Sequence, residues 1–374
     1  MPTGFSIAAA SLILATGQAV AVVAQPPRIA NGRITEQPAA APFQETFRSL
    51  VSAQAGVAWI GYSVPVVEGE RTMCCSDSGS TFISGSVVTV DGRSCCNACR
   101  LEPSTGRSAS SEPAPPGQTG AIQLEGPDRM TVLLRVVDRR IERIRVFSHD
   151  CELDAGGRPV VWLNDVQPAD SIALLESMAK PAGDRPDRVS DGAISAIALH
   201  RDSAADASLE HLVASNQPES VRKKVTFWLG NTRGARGLEL LRGILRDDPS
   251  AEVRKSAVFG ISQSREPGAL EELIQTARSH GDSAVRGQAI FWLGQKAGVK
   301  AGAAITERIE QDPDTEVKKR AVFALSQFPR DEGVPLLIEV ARTNSNPAVR
   351  KQAMFWLAQS RDPRAIDFFA AILK

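Results

Sequence analysis

Val221-Arg-Lys-Lys-Val-Thr-Phe-Trp-Leu-Gly230 is the stretch that decides the architecture, because it returns. Val285-Arg-Gly-Gln-Ala-Ile-Phe-Trp-Leu-Gly294 and Val349-Arg-Lys-Gln-Ala-Met-Phe-Trp-Leu-Ala358 restate it, and weaker copies start at Val253 and Val317. With each valine as position 0, Val189, Val221, Val253, Val285, Val317 and Val349 are spaced 32 residues apart. Position +4 holds Ala193, Val225, Ala257, Ala289, Ala321 and Ala353; position +8 holds Ile197, Leu229, Ile261, Leu293, Leu325 and Leu357. At about 100° per residue these three positions fall within about 80° of one another, which makes one buried helical stripe. A second helix keeps the same period through Leu209, Leu241, Leu273, Ile305, Leu337 and Phe369. One such pair cannot bury its apolar face alone, so six 32-residue units over 189–374 must stack into an α-solenoid.

The recurring Val-Arg-Lys-x-Ala-x-Phe-Trp-Leu-Gly core resembles the short HEAT-like repeats of phycobilin lyases and deoxyhypusine hydroxylase. The resemblance covers only the C-terminal half, and it implies a scaffold rather than an activity. Deoxyhypusine hydroxylase holds iron through His-Glu pairs, and none of the four histidines here (His149, His200, His211, His280) is followed by Glu. No metal, cofactor or catalytic residue is expected.

Within the units, position +2 points about 180° from the buried stripe, and +6 lies about 40° from +2. Stacking therefore sets a lysine ladder, Lys223, Lys255, Lys319 and Lys351, beside a phenylalanine ladder, Phe227, Phe259, Phe291, Phe323 and Phe355. One reading is inter-repeat packing beneath solvating lysines; the other is a groove for a protein partner, with aromatic anchors and basic selectivity. Trp228, Trp292 and Trp356 at +7 alternate with Gly260 and Ala324, which suggests packing between repeats. In the last helix, Phe369, Ile372 and Leu373 follow the buried register while Ile366 and Phe368 add apolar surface, so a contact surface there, between two copies or with a partner, is a second expectation, against Phe368 folding back on Phe355 within its own unit.

The N-terminal half reads differently. Residues 1–24 carry no charged side chain and end in Val22-Val23-Ala24, a small-residue cleavage site, so they read as a signal peptide. An uncleaved anchor is the rival, weakened by Gly4, Gly17 and Gln18. After cleavage no span remains. Residues 25–42 read as a flexible tether, 43–180 as a β-rich domain closed by a helix from Pro168, and 181–188 as a linker. Strands are expected at 56–67, 86–90, 121–125, 130–138, 141–148 and 159–163, with Arg139-Arg140 at a hairpin turn and a long loop over 101–120.

All six cysteines, Cys74, Cys75, Cys95, Cys96, Cys99 and Cys151, precede the repeats. Their even number in an exported segment points to disulfides, with adjacent cysteines bonding outward. Zinc at Cys96-Asn97-Ala98-Cys99 would need Cys74-Cys75 as its other half, and adjacent ligands fit that spacing badly. With 43 basic and 43 acidic residues there is no global field to draw nucleic acid. The fold class is α+β: a disulfide-bonded β-rich domain followed by an all-α HEAT-like solenoid. The functional expectation is a non-catalytic periplasmic or secreted scaffold for a protein partner. The alternative is a lyase- or hydrolase-like enzyme with its site in the N-terminal domain, which a polar pocket around His149 and Arg139/Arg140 would favour, or at its junction with the solenoid. His149 and Cys151 could pair as a thiol nucleophile, though a cystine is the simpler reading.

Overall fold

The computed structural model describes residues 26–68, 99–102, 128–181, 187–296 and 301–373. The expected leader, Cys74, Cys75, Cys95, Cys96, the strands at 86–90 and 121–125, and most of the 101–120 loop lie outside them. Among the described residues no helix is long and apolar enough to cross a membrane.

A five-stranded mixed sheet organises the first half. Its order is β2 (Arg33–Pro38), β8 (Pro159–Asn164), β3 (Ala58–Pro65), β5 (Arg129–Val137), β6 (Arg140–Ser148). The first three run parallel, and β3–β5–β6 form an antiparallel meander. Arg139 sits in the β5–β6 turn as expected, and Asp138 and Arg139 both take positive φ, 46° and 66°, as the tightest hairpins require. Period-two alternation sorts the side chains onto two faces. Ile60, Tyr62, Val64, Val132 and Leu134 face helices α1 (Phe43–Ala53) and α2 (Pro168–Met178). Trp59, Leu133, Phe147 and Val160 face a small sheet of β1 (Ile29–Ala30), β7 (Leu153–Asp154) and β4 (Cys99–Arg100).

The tether expected over 25–42 is corrected by these pairings. Arg33 to Pro38 lie in register beside Pro159 to Asn164, and Ile29–Ala30 pair with Leu153–Asp154. Ile34 and Thr35 favour a strand, and the Ala/Pro-rich composition misled because its prolines fall at element ends: Pro38 closes an edge strand and Pro42 precedes α1.

From Arg188 the chain is helical. The first helices of successive units are α3 (Arg188–Leu199), α5 (Glu219–Thr232), α7 (Ala251–Gln263), α9 (Ser283–Lys296), α11 (Thr315–Ser326) and α13 (Pro347–Ser360). The second helices are α4 (Ala204–Leu212), α6 (Gly234–Asp247), α8 (Ala269–Ser279), α10 (Gly302–Gln311), α12 (Arg330–Thr343) and α14 (Pro363–Ile372). Positions 0, +4 and +8 are buried throughout, except that Val189 is half-buried in the first unit. Side chains at the inter-unit turns start the first helices: Asp187, Ser250, Asp314 and Asn346 accept backbone N–H groups of the next turn. First helices pack along one another far more than second helices do, so the first-helix layer is the continuous one.

The two halves share one core. Helix α3 lies on β6 so closely that a Cβ on Gly192 would sit 2.4 Å from the Ile144 carbonyl oxygen. Val66 bridges to His200, and Arg201 N–H donates to the Pro65 carbonyl. A buried relay crosses this seam: Tyr62 and Ser171 hydroxyls meet at 2.9 Å, Ser171 Oγ lies 2.9 Å from His200 Nε2, and His200 Nδ1 lies 2.7 Å from the Ala196 carbonyl. Burial drives the His200 pKa down to about 4 and pushes the Tyr62 hydroxyl up. With Nδ1–H donating to Ala196, neutral His200 accepts at Nε2 from Ser171, which accepts in turn from Tyr62.

Candidate partner-binding surface

Lys223 and Lys351 stand exposed, while Lys255 and Lys319 are half-buried in pairs with Glu252 (2.5 Å) and Glu316 (2.9 Å) one turn earlier. Four residues on along the same face come the phenylalanines. Their rings form one continuous ladder with the tryptophans. Phe227 stacks on Phe259 (5.8 Å between centroids) and Phe291 on Phe323 (6.2 Å), while Phe259 meets Trp292 (4.7 Å) and Phe323 meets Trp356 (5.1 Å) with tilted rings. Within units Trp292 meets Phe291 edge-on at 5.0 Å, which joins the two halves of the ladder. Phe227 to Phe323 are half-buried and Phe355 is 50 % exposed, so the rings pack between repeats and also present edges to solvent.

The tryptophan alternation has a packing cause that sequence reading grasped only in outline. Where +7 is small, the preceding unit carries a small residue at +9 and the two helices nearly touch. A Cβ on Gly230 would lie 1.9 Å from the Gly260 carbonyl oxygen, and one on Gly294 would lie 2.8 Å from Ala324 Cβ. Where +7 is Trp292 or Trp356, the preceding +9 is Ser262 or Ser326, whose hydroxyl bonds back to Phe259 or Phe323. The basic residues at +1 follow the same two-unit rhythm. Arg222 grips Asp248 with two bonds (2.8 and 3.1 Å), and Arg286 grips Asp312 the same way (2.8 and 2.9 Å). Between them Arg254 makes one bond to Asp282 at 2.8 Å. Bonding to Asp312 holds the Arg286 pKa above its usual value. These arginines are structural; their charge is spent inside the stack.

A further ladder was missed. Position +10 is Asn231, Gln263, Gln295, Gln327 and Gln359, an amide in each of these five units. The signal was the same 32-residue step, passed over because Gln and Asn carry neither charge nor hydrophobicity. A cleft of about 260 Å³ opens between Gln327 and Gln359, walled by Ser326, Phe328 and Trp356. The Trp356 Nε1 donor is buried without a partner among the described residues.

The rival constellations, His149 with Cys151 and Arg139-Arg140, are not brought together. His149 Nδ1 lies 3.1 Å from Thr131 Oγ1, Cys151 is buried and is not a free thiol, and Arg139-Arg140 sit at the opposite end of β6, about 27 Å away at about 3.4 Å per residue. Among the described residues no group of His, Cys, Asp and Glu could hold a metal ion. At the last helix the exposed large apolar residues are Ile366, Ile372 and Leu373; Phe368, expected outside the buried register, is 4 % exposed and Phe369 is half-buried. Helix α14 is turned so that Ala365 and Phe368 share the buried side, with the Arg342 guanidinium 5.8 Å from the Phe368 ring.

Comparison with known proteins agrees with this architecture. A family model described as HEAT repeats matches residues 302–374, and the helices before it continue the same register. The C-terminal region is thus a HEAT-like repeat array. Similar solved structures include human deoxyhypusine hydroxylase (17 % identity, 55 % of this chain and 78 % of that one, TM-score 0.29). The CpcE–CpcF phycocyanin lyase complex of Nostoc is another (23 %, 41 % and 99 %, 0.32), as is YibA of Escherichia coli (18 %, 55 % and 78 %, 0.35). No curated protein matches the chain.

Proposed function

We propose that this chain is an exported, non-catalytic scaffold that captures a protein partner on the first-helix face of its solenoid. The observation that carries the reading is the aromatic ladder from Phe227 to Phe355, which runs through five units and keeps ring edges at the surface under a row of cations. Rings and cations along a continuous array are the usual makings of binding hot spots. Export and disulfide bonding of the N-terminal half belong to the same reading, supported by the uncharged leader and the clustered cysteines. The sheet then serves as a base that fixes the first unit through α3.

The test is capture from a native periplasmic extract by immobilised wild type and by the combined Lys223→Glu, Lys255→Glu, Lys319→Glu and Lys351→Glu variant. A partner retained by the wild type and lost by the variant, at unchanged helical content, supports the scaffold. Equal retention by both refutes this face as the binding surface.

A further inference from the structure

The scaffold reading leaves the partner's form open, and the amide ladder narrows it. Positions +2, +6 and +10 are spaced i, i+4, i+8, so four of the six first helices, α5, α7, α11 and α13, present a cation, a ring and an amide in one line. Unit by unit the lines read Lys223/Phe227/Asn231, Lys255/Phe259/Gln263, Lys319/Phe323/Gln327 and Lys351/Phe355/Gln359. The first unit, with Asp191, Ser195 and Leu199 at these positions, lies outside the ladder; the unit between has Gly287 before Phe291 and Gln295, and there Arg320 of the next helix lies across the gap, since a Cβ on Gly287 would sit 2.6 Å from its Nη1. The cationic row therefore has no break. Resting on the scaffold reading, we propose that this face binds an extended, acidic peptide segment, main chain on the amides and side chains among the rings and cations.

Three features single out that occupant. A carboxamide carries two N–H donors and an acceptor, the complement of a peptide unit whatever its side chains are; one N–H each of Asn231, Gln263 and Gln327 is already given to the Phe227 carbonyl, Ser262 Oγ and Ser326 Oγ. A folded partner has its main-chain groups already paired, whereas an extended segment brings them free. The spacing fits: packed helices stand about 8–10 Å apart and an extended chain rises about 3.3 Å per residue, so each step meets about every third residue. Charge sets the sign. Lys223, Lys224, Lys255, Lys319, Lys351 and Arg320 outnumber the carboxylates on this side, Asp191, Glu219, Glu252 and Glu316. The cleft between Gln327 and Gln359 gives one large side chain a place to enter, beside the unpartnered Trp356 Nε1.

The probe is a fluorescein-labelled peptide of about twelve residues built from Glu-Phe-Ser repeats, titrated by anisotropy into the full chain. Its comparators are a Lys-Phe-Ser peptide, the acidic peptide N-methylated at every third residue, and oligo-dT of matched length. The acidic peptide should bind, and more weakly as salt rises. Affinity should fall at least about tenfold with the basic peptide, with N-methylation, and with the combined Gln263→Ala, Gln327→Ala and Gln359→Ala variant. Gln359→Glu, at an exposed near-isosteric position, should weaken the acidic peptide with the fold intact. Equal affinity of the amide variant or the methylated peptide overturns main-chain capture, and tighter binding of oligo-dT overturns a peptide ligand. If the acidic peptide fails to bind while the Lys→Glu variant still loses its native partner, this inference falls and the scaffold stands.

Discussion

The α5–α7 and α7–α9 interfaces join the same kind of helix at the same step of sequence, yet they are built in opposite ways. The first brings backbone against backbone at Gly230 and Gly260; the second inserts the Trp292 ring against Phe259. Two-pronged Arg–Asp grips recur at 222–248 and 286–312, in alternate units. The difference teaches that the structural period is two units, and that a 32-residue sequence period is the average of two unlike joints.

The sharpest way to break that comparison is to remove a carboxylate from each kind of unit. Asp312→Ala strands the buried Arg286 guanidinium, a loss of about 3–5 kcal/mol, whereas Asp282→Ala releases one bond to a more exposed arginine and the cap on the Ala284 N–H, and should cost about 1–2 kcal/mol. Urea unfolding followed by helical signal measures both, and equal losses would dissolve the two-unit period.

Next in size is a pH effect that separates stack from seam. His200 is neutral in the fold, with a pKa of about 4 against about 6.5 in the unfolded chain, so the unfolded state binds more protons between those values. Stability is complete above about pH 6.5 and is lost as pH falls toward about 4, by on the order of 3 kcal/mol. Burial, reinforced by Arg233, outweighs the Ala196 hydrogen bond and the Asp202 charge, which both favour the proton. His200→Gln should flatten this dependence in chemical denaturation series; an unchanged slope would assign it elsewhere.

Gly230→Ala comes third. Its Cβ collides with the Gly260 carbonyl, so α5 and α7 must part, at about 1–3 kcal/mol. Ser262→Ala, the same position at the roomier joint, should change stability by only about 0.5 kcal/mol. Phe355→Ala is the smallest, within about 0.5 kcal/mol by thermal melting, because half of that ring is already in water.

The solenoid was legible because burial selects apolar residues and the period repeats the selection six times; Val253, Ala257 and Ile261 fell where expected. The ladders of Lys and Phe were legible for the same reason. Ser171 and His200 were not, since 29 residues separate them and only the meeting of α2 with α3 brings them together. The structural role of Arg222 and Arg286 was hidden because a charge next to a buried valine reads as solvated until its partner, 26 residues on, is placed. Strand β2 was misread because an edge strand buries little and so leaves a weak pattern.

The alternation of joints also sets a parity rule on length. Excising residues 253–284 would set Gly230, shaped to meet a glycine, against Trp292, and the new junction could not close. Excising 253–316 would bring Gly230 to Ala324, the same match that Gly294 already makes. Such an array can be shortened or lengthened by pairs and resists change by single units, so its reach comes in quanta of 64 residues.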